Sequence, residues 1–534
     1  LVFSRKTNEK RGPSSRAFSV TRRLNPQLGL VGRNSPARNE VTGTKACAEL
    51  YAIAAIPASH GWSRSRSITC IPLPGERSEL HRRISSRLSL RWPTNCSCVA
   101  ADMEEATIER LGEAEFLSPL RHGHFDKFRS EDQRVLLDDT ITGAQPIPLD
   151  TRAQRSFELA GPREKLFFDP PKTTAAIVTC GGLCPGLNDI TRGIVMELYS
   201  RYGATRIYGI RYGYEGLVPR YGHVPLTLRP ESVSTIHTFG GTILGSSRGP
   251  QNVGEMVDHL EELDVDILFL IGGEGTLRGG EAMSAEIRRR NLKKSLIGIP
   301  KTIDNDIMYI DKSFGFETAF AEAVKAVSSA HVEALGAVNG VGLVKLMGRE
   351  SGFIACFASL AGQHANFCLI PEVKFALEGP RGLLEMLRHR IARRKHAVIV
   401  VAEGAGQHLV QKSTERPDAS GNHRPGDIGL FLKEKINEFF TERRMEINLK
   451  YIDPSYLIRS VPASPQDNVY CTRLAQAAVH AGMSGRTNML VGRWHGSFVH
   501  IPFGAVTKSR RKVDINGDLW LSVLEATGQP AWMC

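Results

Sequence analysis

Acidic side chains are almost missing from the first hundred residues of this chain, where 17 Lys and Arg stand against 5 Glu and no Asp. That local excess accounts for the whole formal net charge of +12, because the remaining residues carry 51 basic and 51 acidic side chains. A neutral body offers no global field for a polyanion, which argues against nucleic acid as a partner. Long hydrophobic runs are missing as well. No stretch approaches the ~20 apolar residues of a membrane helix, and a run such as Ile267 to Ile271 has only the length of a strand. No membrane partner is expected. Paired CxxC spacing is also lacking among the cysteines at 47, 70, 96, 98, 180, 184, 356, 368, 471 and 534. Several of them lie inside apolar runs, so buried thiols in a reducing compartment are expected rather than a zinc site.

Methionine is absent from residues 1–102, and the first one, Met103, opens the acidic stretch Met103-Glu104-Glu105. The segment before it is rich in Ser and Arg, as in Ser63-Arg64-Ser65-Arg66-Ser67, and has no sustained periodicity. A plastid or mitochondrial transit segment shares that bias. Translated upstream nucleotide sequence would look the same, and the start at Leu1 favours this second reading. On either reading, residues 1–102 are expected to be disordered.

What the rest of the chain has is glycine and alternation. Over the whole chain, 51 glycines and 41% apolar residues suit a loop-rich α/β enzyme. From Thr173 onward short apolar runs alternate with helical patterns, which predicts parallel sheets with crossover helices. The run Ala175 to Cys180 breaks into Gly181-Gly182-Leu183-Cys184-Pro185-Gly186, and a helix follows with apolar residues at 187, 190, 194, 195 and 198 on one face. Further strands are predicted at 267–271, 296–299, 343–346, 367–370 and 397–401, each running directly into glycine, proline or charge. Residues 411–427 are polar and predict an exposed loop. In open α/β sheets ligands gather beyond the carboxyl ends of strands, so those ends are where chemistry belongs.

Three of them carry it. The loop Gly181 to Gly186 follows a strand and opens a helix, so its backbone N–H groups can cradle phosphate oxygens. It is neither a dinucleotide GxGxxG nor a Walker A, and a plain tight turn reads the same. The segment Ile271-Gly272-Gly273-Glu274-Gly275-Thr276 repeats the arrangement with a carboxylate between glycines, where packing gives it no role and Mg2+ does. The segment Ile299-Pro300-Lys301-Thr302-Ile303-Asp304-Asn305-Asp306 sets two carboxylates two residues apart beyond a strand. Phosphoryl transfer asks for such a set: a base to orient the attacking hydroxyl, a metal and cations for the oxygens, and glycine loops for the phosphates.

These segments resemble the phosphofructokinase family, in its plant-type ATP-dependent branch. Further pieces match in order: Tyr212-Gly213-Tyr214-Glu215-Gly216-Leu217, Gly241 to Gly249, Ser313-Phe314-Gly315-Phe316, Lys345 to Arg349, Ala402-Glu403-Gly404 and Tyr451 to Arg459. The resemblance spans roughly residues 105–530 and implies two Rossmann-like three-layer α/β domains of mostly parallel sheets with the site in the cleft between them. It implies a nucleotide-binding domain at 171–315 with 459–508, a sugar-phosphate domain at 316–458 with 509–534, and an N-terminal extension at 103–170. ATP, with Mg2+, and fructose 6-phosphate are the implied ligands, and a homo-oligomer (dimer or tetramer) in the cytoplasm the implied setting, or in the plastid if residues 1–102 are a transit segment.

Residue by residue, the resemblance assigns Gly182, Arg248, Gly249 and Gly273-Glu274-Gly275-Thr276 to ATP, with Glu274 where the family usually has an Mg2+-binding aspartate. It makes Asp304 the proton acceptor and Arg349 its catalytic companion. Thr302, Ile303, Asp304, Met347, Gly348, Arg349, Glu403, Tyr456, Leu457, Ile458 and Arg459 are implied to bind the sugar phosphate. In this family a glycine at Gly275 leaves room for ATP, whereas lysine at Lys301 accompanies pyrophosphate use; plant-type ATP enzymes combine the two. Tyr456 stands where many bacterial members have histidine. Gly340 and Lys450 stand where small bacterial enzymes bring two arginines from a neighbouring subunit. Three rivals stay open: a pyrophosphate-dependent phosphofructokinase, a diacylglycerol- or NAD-kinase type sharing the glycine–acid–glycine loop, and a catalytically weak regulatory subunit of the family.

Overall fold

A computed structural model describes residues 106–123, 127–140, 155–410 and 426–534 of the chain. The expectations for residues 1–102, and for most of the loop at 411–427, fall outside the described residues. Two large sheets form, beside two small two-stranded ones. The strands of the large sheets are β1 (Arg134–Leu136), β2 (Ser156–Leu159), β3 (Thr174–Thr179), β4 (Arg206–Ile210), β5 (Leu226–Thr227), β6 (Ile267–Gly272), β7 (Ser295–Pro300), β8 (Gly340–Leu346), β9 (Phe367–Leu369), β10 (His396–Ala402), β11 (Asn448–Ile452), β12 (Met489–Trp494) and β13 (Ser497–Pro502). The first sheet runs β1-β2-β13-β12-β7-β6-β3-β4-β5, and the second β9-β10-β8-β11.

Pairing follows hydrophobicity. The centre of the first sheet, β12-β7-β6-β3-β4, is parallel, and β3, β6 and β7 are buried at every residue. Continuous apolar runs are what a parallel strand covered on both faces demands. The antiparallel additions lie at the flanks, where β5 pairs with β4 and β13 and β2 extend from β12. The second sheet is parallel throughout.

The longer helices are α1 (Leu187–Glu197), α2 (Val253–Glu262), α3 (Glu274–Arg289), α4 (Phe316–Leu335), α5 (Phe353–Gly362), α6 (Leu383–Arg394), α7 (Ile428–Glu442), α8 (Pro465–Met483) and α9 (Asp518–Thr527). Leu187, Ile190, Ile194, Val195 and Leu198 are all buried, as their spacing predicts. Asp427, at the end of the predicted loop, instead caps α7 by accepting from Leu430 N. The described cysteines are free, and all but Cys534 are buried. Among the described residues no helix is long and apolar enough to cross a membrane.

A buried charge cluster fixes the edge of the first sheet. Glu158 of β2 accepts from Arg163 Nη2 at 2.9 Å, from His500 Nδ1 of β13 at 3.0 Å and from Arg486 Nε. Burial pushes the Glu158 carboxyl up, but the His500 hydrogen bond and the two guanidinium groups overcome that and hold it well below the usual range. His500 is itself pushed down by burial to about 4. It is therefore neutral at pH 7, and there Arg163 and Arg486, with Arg110 Nη2 at 3.4 Å from the other carboxylate oxygen, carry the charge pairing.

Candidate active site

The carboxyl ends of β3, β6 and β7 in the first sheet and of β8 and β10 in the second open onto one cleft of about 630 Å3. On the first side, the loop after β3 gathers cations. Lys301 Nζ donates to Gly182 O at 2.7 Å. A Cβ added at Gly182 would lie 3.1 Å from Arg248 Nη2 and 3.6 Å from Arg459 Nη1. Two guanidiniums and an ammonium thus surround one turn of backbone, which suits an anion with several oxygens. Burial pushes the Lys301 pKa down, as expected for an ammonium removed from water.

The loop after β6 enters α3 at once. Gly272 has to be glycine, since a Cβ there would fall 2.1 Å from Thr276 Oγ1. Gly275 does not, because a Cβ there would meet nothing within 4 Å. No packing demand explains that glycine, and the space beside it faces the cleft. Glu274, at the first turn of α3, accepts from Arg510 Nε at 2.6 Å through one oxygen, and its other oxygen lies 3.4 Å from Arg278 Nη2.

The loop after β7 carries the carboxylates. Thr302 Oγ1 donates to Asp306 Oδ1 at 2.8 Å and accepts from Asp304 N at 3.1 Å, so one hydroxyl sets the turn. Ser351 Oγ donates to Asp304 O at 3.0 Å and ties the turn to the loop after β8. Asp304 Oδ1 is buried with no hydrogen-bond partner. Burial raises the Asp304 pKa, the charges of Asp306 and Glu403 raise it further, and Arg349 and Arg510 offset part of the rise. A buried carboxylate oxygen without a partner is costly, and one aimed into a cleft is the signature of a proton-transfer site. Burial also raises the pKa of Glu403, against the pull of Arg349.

The loops after β8 and β10 lock together. Gly404 N donates to Gly348 O at 3.0 Å, and a Cβ at Gly404 would fall 1.8 Å from Arg349 O. That close approach holds Met347 and Arg349 beside Glu403.

The cleft thus brings together Gly182, Arg248, Gly249, Gly273, Glu274, Gly275, Thr276, Thr302, Ile303, Asp304, Met347, Arg349, Glu403 and Arg459. Four residues that the resemblance assigns to the sugar are not in its lining. Gly348 acts through its backbone, with φ 131° and its carbonyl on Gly404. The stretch from Tyr456 turns as a 3-10 helix at Leu457–Arg459, which sends successive side chains in different directions. Ile458 is buried in the core, whereas Tyr456 and Leu457 are exposed. Within the stretch Tyr456–Arg459, Arg459 alone lines the cleft. Tyr456 supports it from outside, with the guanidinium 4.8 Å from the ring centroid.

Sequence reasoning missed Arg510 and Ser247, which also line the cleft. Arg510 sits in the run Lys508-Ser509-Arg510-Arg511-Lys512, which reads as a solvated basic face. Nothing local in that run points to a carboxylate 236 residues away.

Known proteins resemble this chain over most of its length. The family model described as Phosphofructokinase matches residues 174–482. The chain is 47% identical over 428 residues to the ATP-dependent 6-phosphofructokinase of Borreliella burgdorferi, covering 79% of this chain and 92% of that protein. It is 48% identical to the protein of that name from Amycolatopsis methanolica, over 80% of this chain and 96% of that one. With ATP-dependent 6-phosphofructokinase 7 of Arabidopsis thaliana it shares 47% identity, over 75% of this chain and 82% of the plant protein. Among solved structures, a pyrophosphate-dependent phosphofructokinase from Marinobacter aquaeolei shares the fold, with a TM-score of 0.54 and 18% identity, covering 66% of this chain and 91% of that chain. On the family match and these relatives, this chain belongs to the phosphofructokinase family.

Proposed function

We propose that the protein is an ATP-dependent 6-phosphofructokinase, transferring the γ-phosphoryl group of ATP to the 1-hydroxyl of fructose 6-phosphate. The observation that carries this reading is the Asp304 carboxylate, which is buried, unpartnered at Oδ1 and of raised pKa in the cleft that holds Gly182, Arg248 and Gly275 on one side and Arg349, Glu403 and Arg459 on the other. On this reading Asp304 takes the proton of the attacking hydroxyl. Arg349 neutralises charge on the transferring group, and Glu403 bonds sugar hydroxyls. Arg459 grips the 6-phosphate with its planar fork.

The donor side is read as the nucleotide half, residues 171–315 with 459–508. In support, α8, β12 and β13 pack into or extend the first sheet. The acceptor side is read as 316–458 with 509–534, in support of which α9 packs on α5.

Mg2+ fits these residues as an ion carried in with the nucleotide. Among the described residues no group of three or more His, Cys, Asp and Glu side chains forms a metal cage. Mg2+ instead takes one or two carboxylates together with substrate phosphates, and Glu274 faces the cleft at the glycine loop to serve as that ligand. Glu274 would hold such an ion, whose chemistry there would be to neutralise charge on the phosphates.

The test is a coupled assay for fructose 1,6-bisphosphate on the chain starting at Met103, with Mg2+ and either ATP or pyrophosphate. Product with ATP alone is expected. Product with pyrophosphate alone would mean that Lys301 outweighs Gly275 in donor choice. Product with neither, from folded protein, would point to the regulatory reading.

A further inference from the structure

Residues 507–513 cross from one side of the cleft to the other. Thr507 Oγ1 donates to Glu281 Oε2 of α3 at 3.0 Å. Arg510 pairs with Ile307 as an isolated antiparallel bridge. Arg511 N donates to Asp306 O at 2.8 Å, and its guanidinium reaches Ile310 O and Asp311 O, each at 2.9 Å. Val513 N donates at 2.8 Å to Glu372 Oε1, which also accepts from Gly352 N at 3.0 Å, next to the loop after β8. The segment is anchored at both ends and held at its middle, so the side chain that it presents inward has a fixed position.

That side chain is Arg510. It donates to Glu274 Oε2 at 2.6 Å, and its Nη1 lies 3.7 Å from Asp306 Oδ2. Glu274 belongs to the donor loop and Asp306 to the acceptor turn, and Thr302 joins Asp306 to Asp304. One planar fork therefore ties together the side chains of the two neighbouring loops after β6 and β7, whose backbones also meet where Lys301 N donates to Gly272 O at 2.9 Å. Glutamate at 274, longer than aspartate by one methylene, has the reach for this contact. A guanidinium suits the task because its donors are fixed relative to one another, whereas an ammonium is a point charge.

We propose that Arg510 is a positioning residue for phosphoryl transfer, holding Glu274 and Asp306 in register with each other on the first side of the cleft while itself touching no reacting atom. Misplacement of either loop by ~1 Å is enough to lose about two orders of magnitude in rate. The proposal rests on the reaction above for its kinetic test, and a binding test frees it from that reaction. Without Arg510 the two carboxylates lose their shared cation, and the cleft becomes more repulsive to a nucleotide.

The experiment compares Arg510→Gln and Arg510→Lys with the unsubstituted chain in steady-state kinetics, in calorimetric titration with ADP without added metal, and in thermal unfolding. For Arg510→Gln the expected result is a kcat lower by about ten-fold or more, a KM for fructose 6-phosphate within about two-fold of the parent, and ADP binding weakened several-fold. Arg510→Lys, which restores the charge but not the fork, is expected between the two. Unchanged kcat and ADP affinity in Arg510→Gln would overturn the proposal. So would an equal loss in both variants with KM raised for both substrates and a lowered unfolding temperature, because that is mere loss of fold. Should Arg510→Gln not fold, parental values in Arg510→Lys overturn the need for the fork. An unsubstituted chain that makes no product would refute the reaction and not Arg510, whose role the ADP titration still decides.

Discussion

Asp304 and Gly275 show how much one position can hold. Asp304 is surrounded by unfavourable terms for a charge: burial, Asp306 and Glu403. Because its folded pKa is raised, the base function proposed for it would be lost, on acidification, at a higher pH than for an ordinary carboxylate. The acid limb of the kcat/KM profile is therefore expected above the reference value of 3.8. Asp306→Asn removes one of the repelling charges and is expected to move that limb to lower pH; a limb that stays put or rises would show that Asp306 does not act on Asp304. Asp304→Asn is expected to lower kcat by about 10²–10⁴-fold, the usual worth of a positioned base, with ATP binding nearly intact by calorimetry. At Gly275 the argument comes from open space. A side chain there meets no protein atom within 4 Å, so Gly275→Asp is expected to leave the unfolding temperature unchanged while lowering kcat/KM for ATP by roughly ten-fold or more, as an added charge near phosphates costs on the order of 1 kcal/mol even when well screened. Equal use of ATP by this variant would refute the donor reading.

Elements carry the site by their ends. Strands β3, β6, β7, β8 and β10 were legible from their apolar runs alone, because a strand buried on both faces has no polar alternation to confuse its reading. The turn chemistry that follows each was legible as punctuation, but which turns touch was not. Gly404 is the clearest instance: its spacing after Glu403 announces a turn, whereas the 1.8 Å approach of its would-be Cβ to Arg349 O exists only once β8 and β10 lie side by side. Gly404→Ala is expected to push the Met347–Arg349 loop away, raising KM for fructose 6-phosphate several-fold and costing about 1–3 kcal/mol of stability, as overpacking does. A variant with parental KM and unfolding temperature would show that the loops yield freely. The stretch Tyr456–Arg459 taught the opposite lesson. Its motif reads as a continuous grip on phosphate, yet a single tight turn points one side chain to the core, two to water and one to the cleft. A periodicity of three over four residues leaves no hydrophobic pattern to read.

At the scale of the whole molecule, the pH response of stability follows from groups far from the cleft. Burial pushes His480 down to about 3 and His500 down to about 4. The unfolded chain binds protons at these histidines near 6.5, so both contribute stability fully above that pH, and the contribution is lost as pH falls from about 6.5 toward 4, at about 1.4 kcal/mol per pH unit for each. His500→Gln is expected to lose less stability than the parent between pH 7 and 5 in urea unfolding, and an equal loss would sink the assignment. Glu158, held below its usual range, contributes in the same direction at lower pH, where its stability is lost as the carboxyl protonates. Sequence alone determined the α/β class and the family, because each of these resides in short segments of adjacent residues whose chemistry survives without knowing their neighbours. Only the tertiary structure decided that Arg510 meets Glu274, that Glu158 is buried among two arginines and a histidine, and that Tyr456 and Leu457 face water. Those facts depend on contacts between residues hundreds of positions apart and on the direction of each side chain at a turn, and neither leaves a periodic trace along the chain.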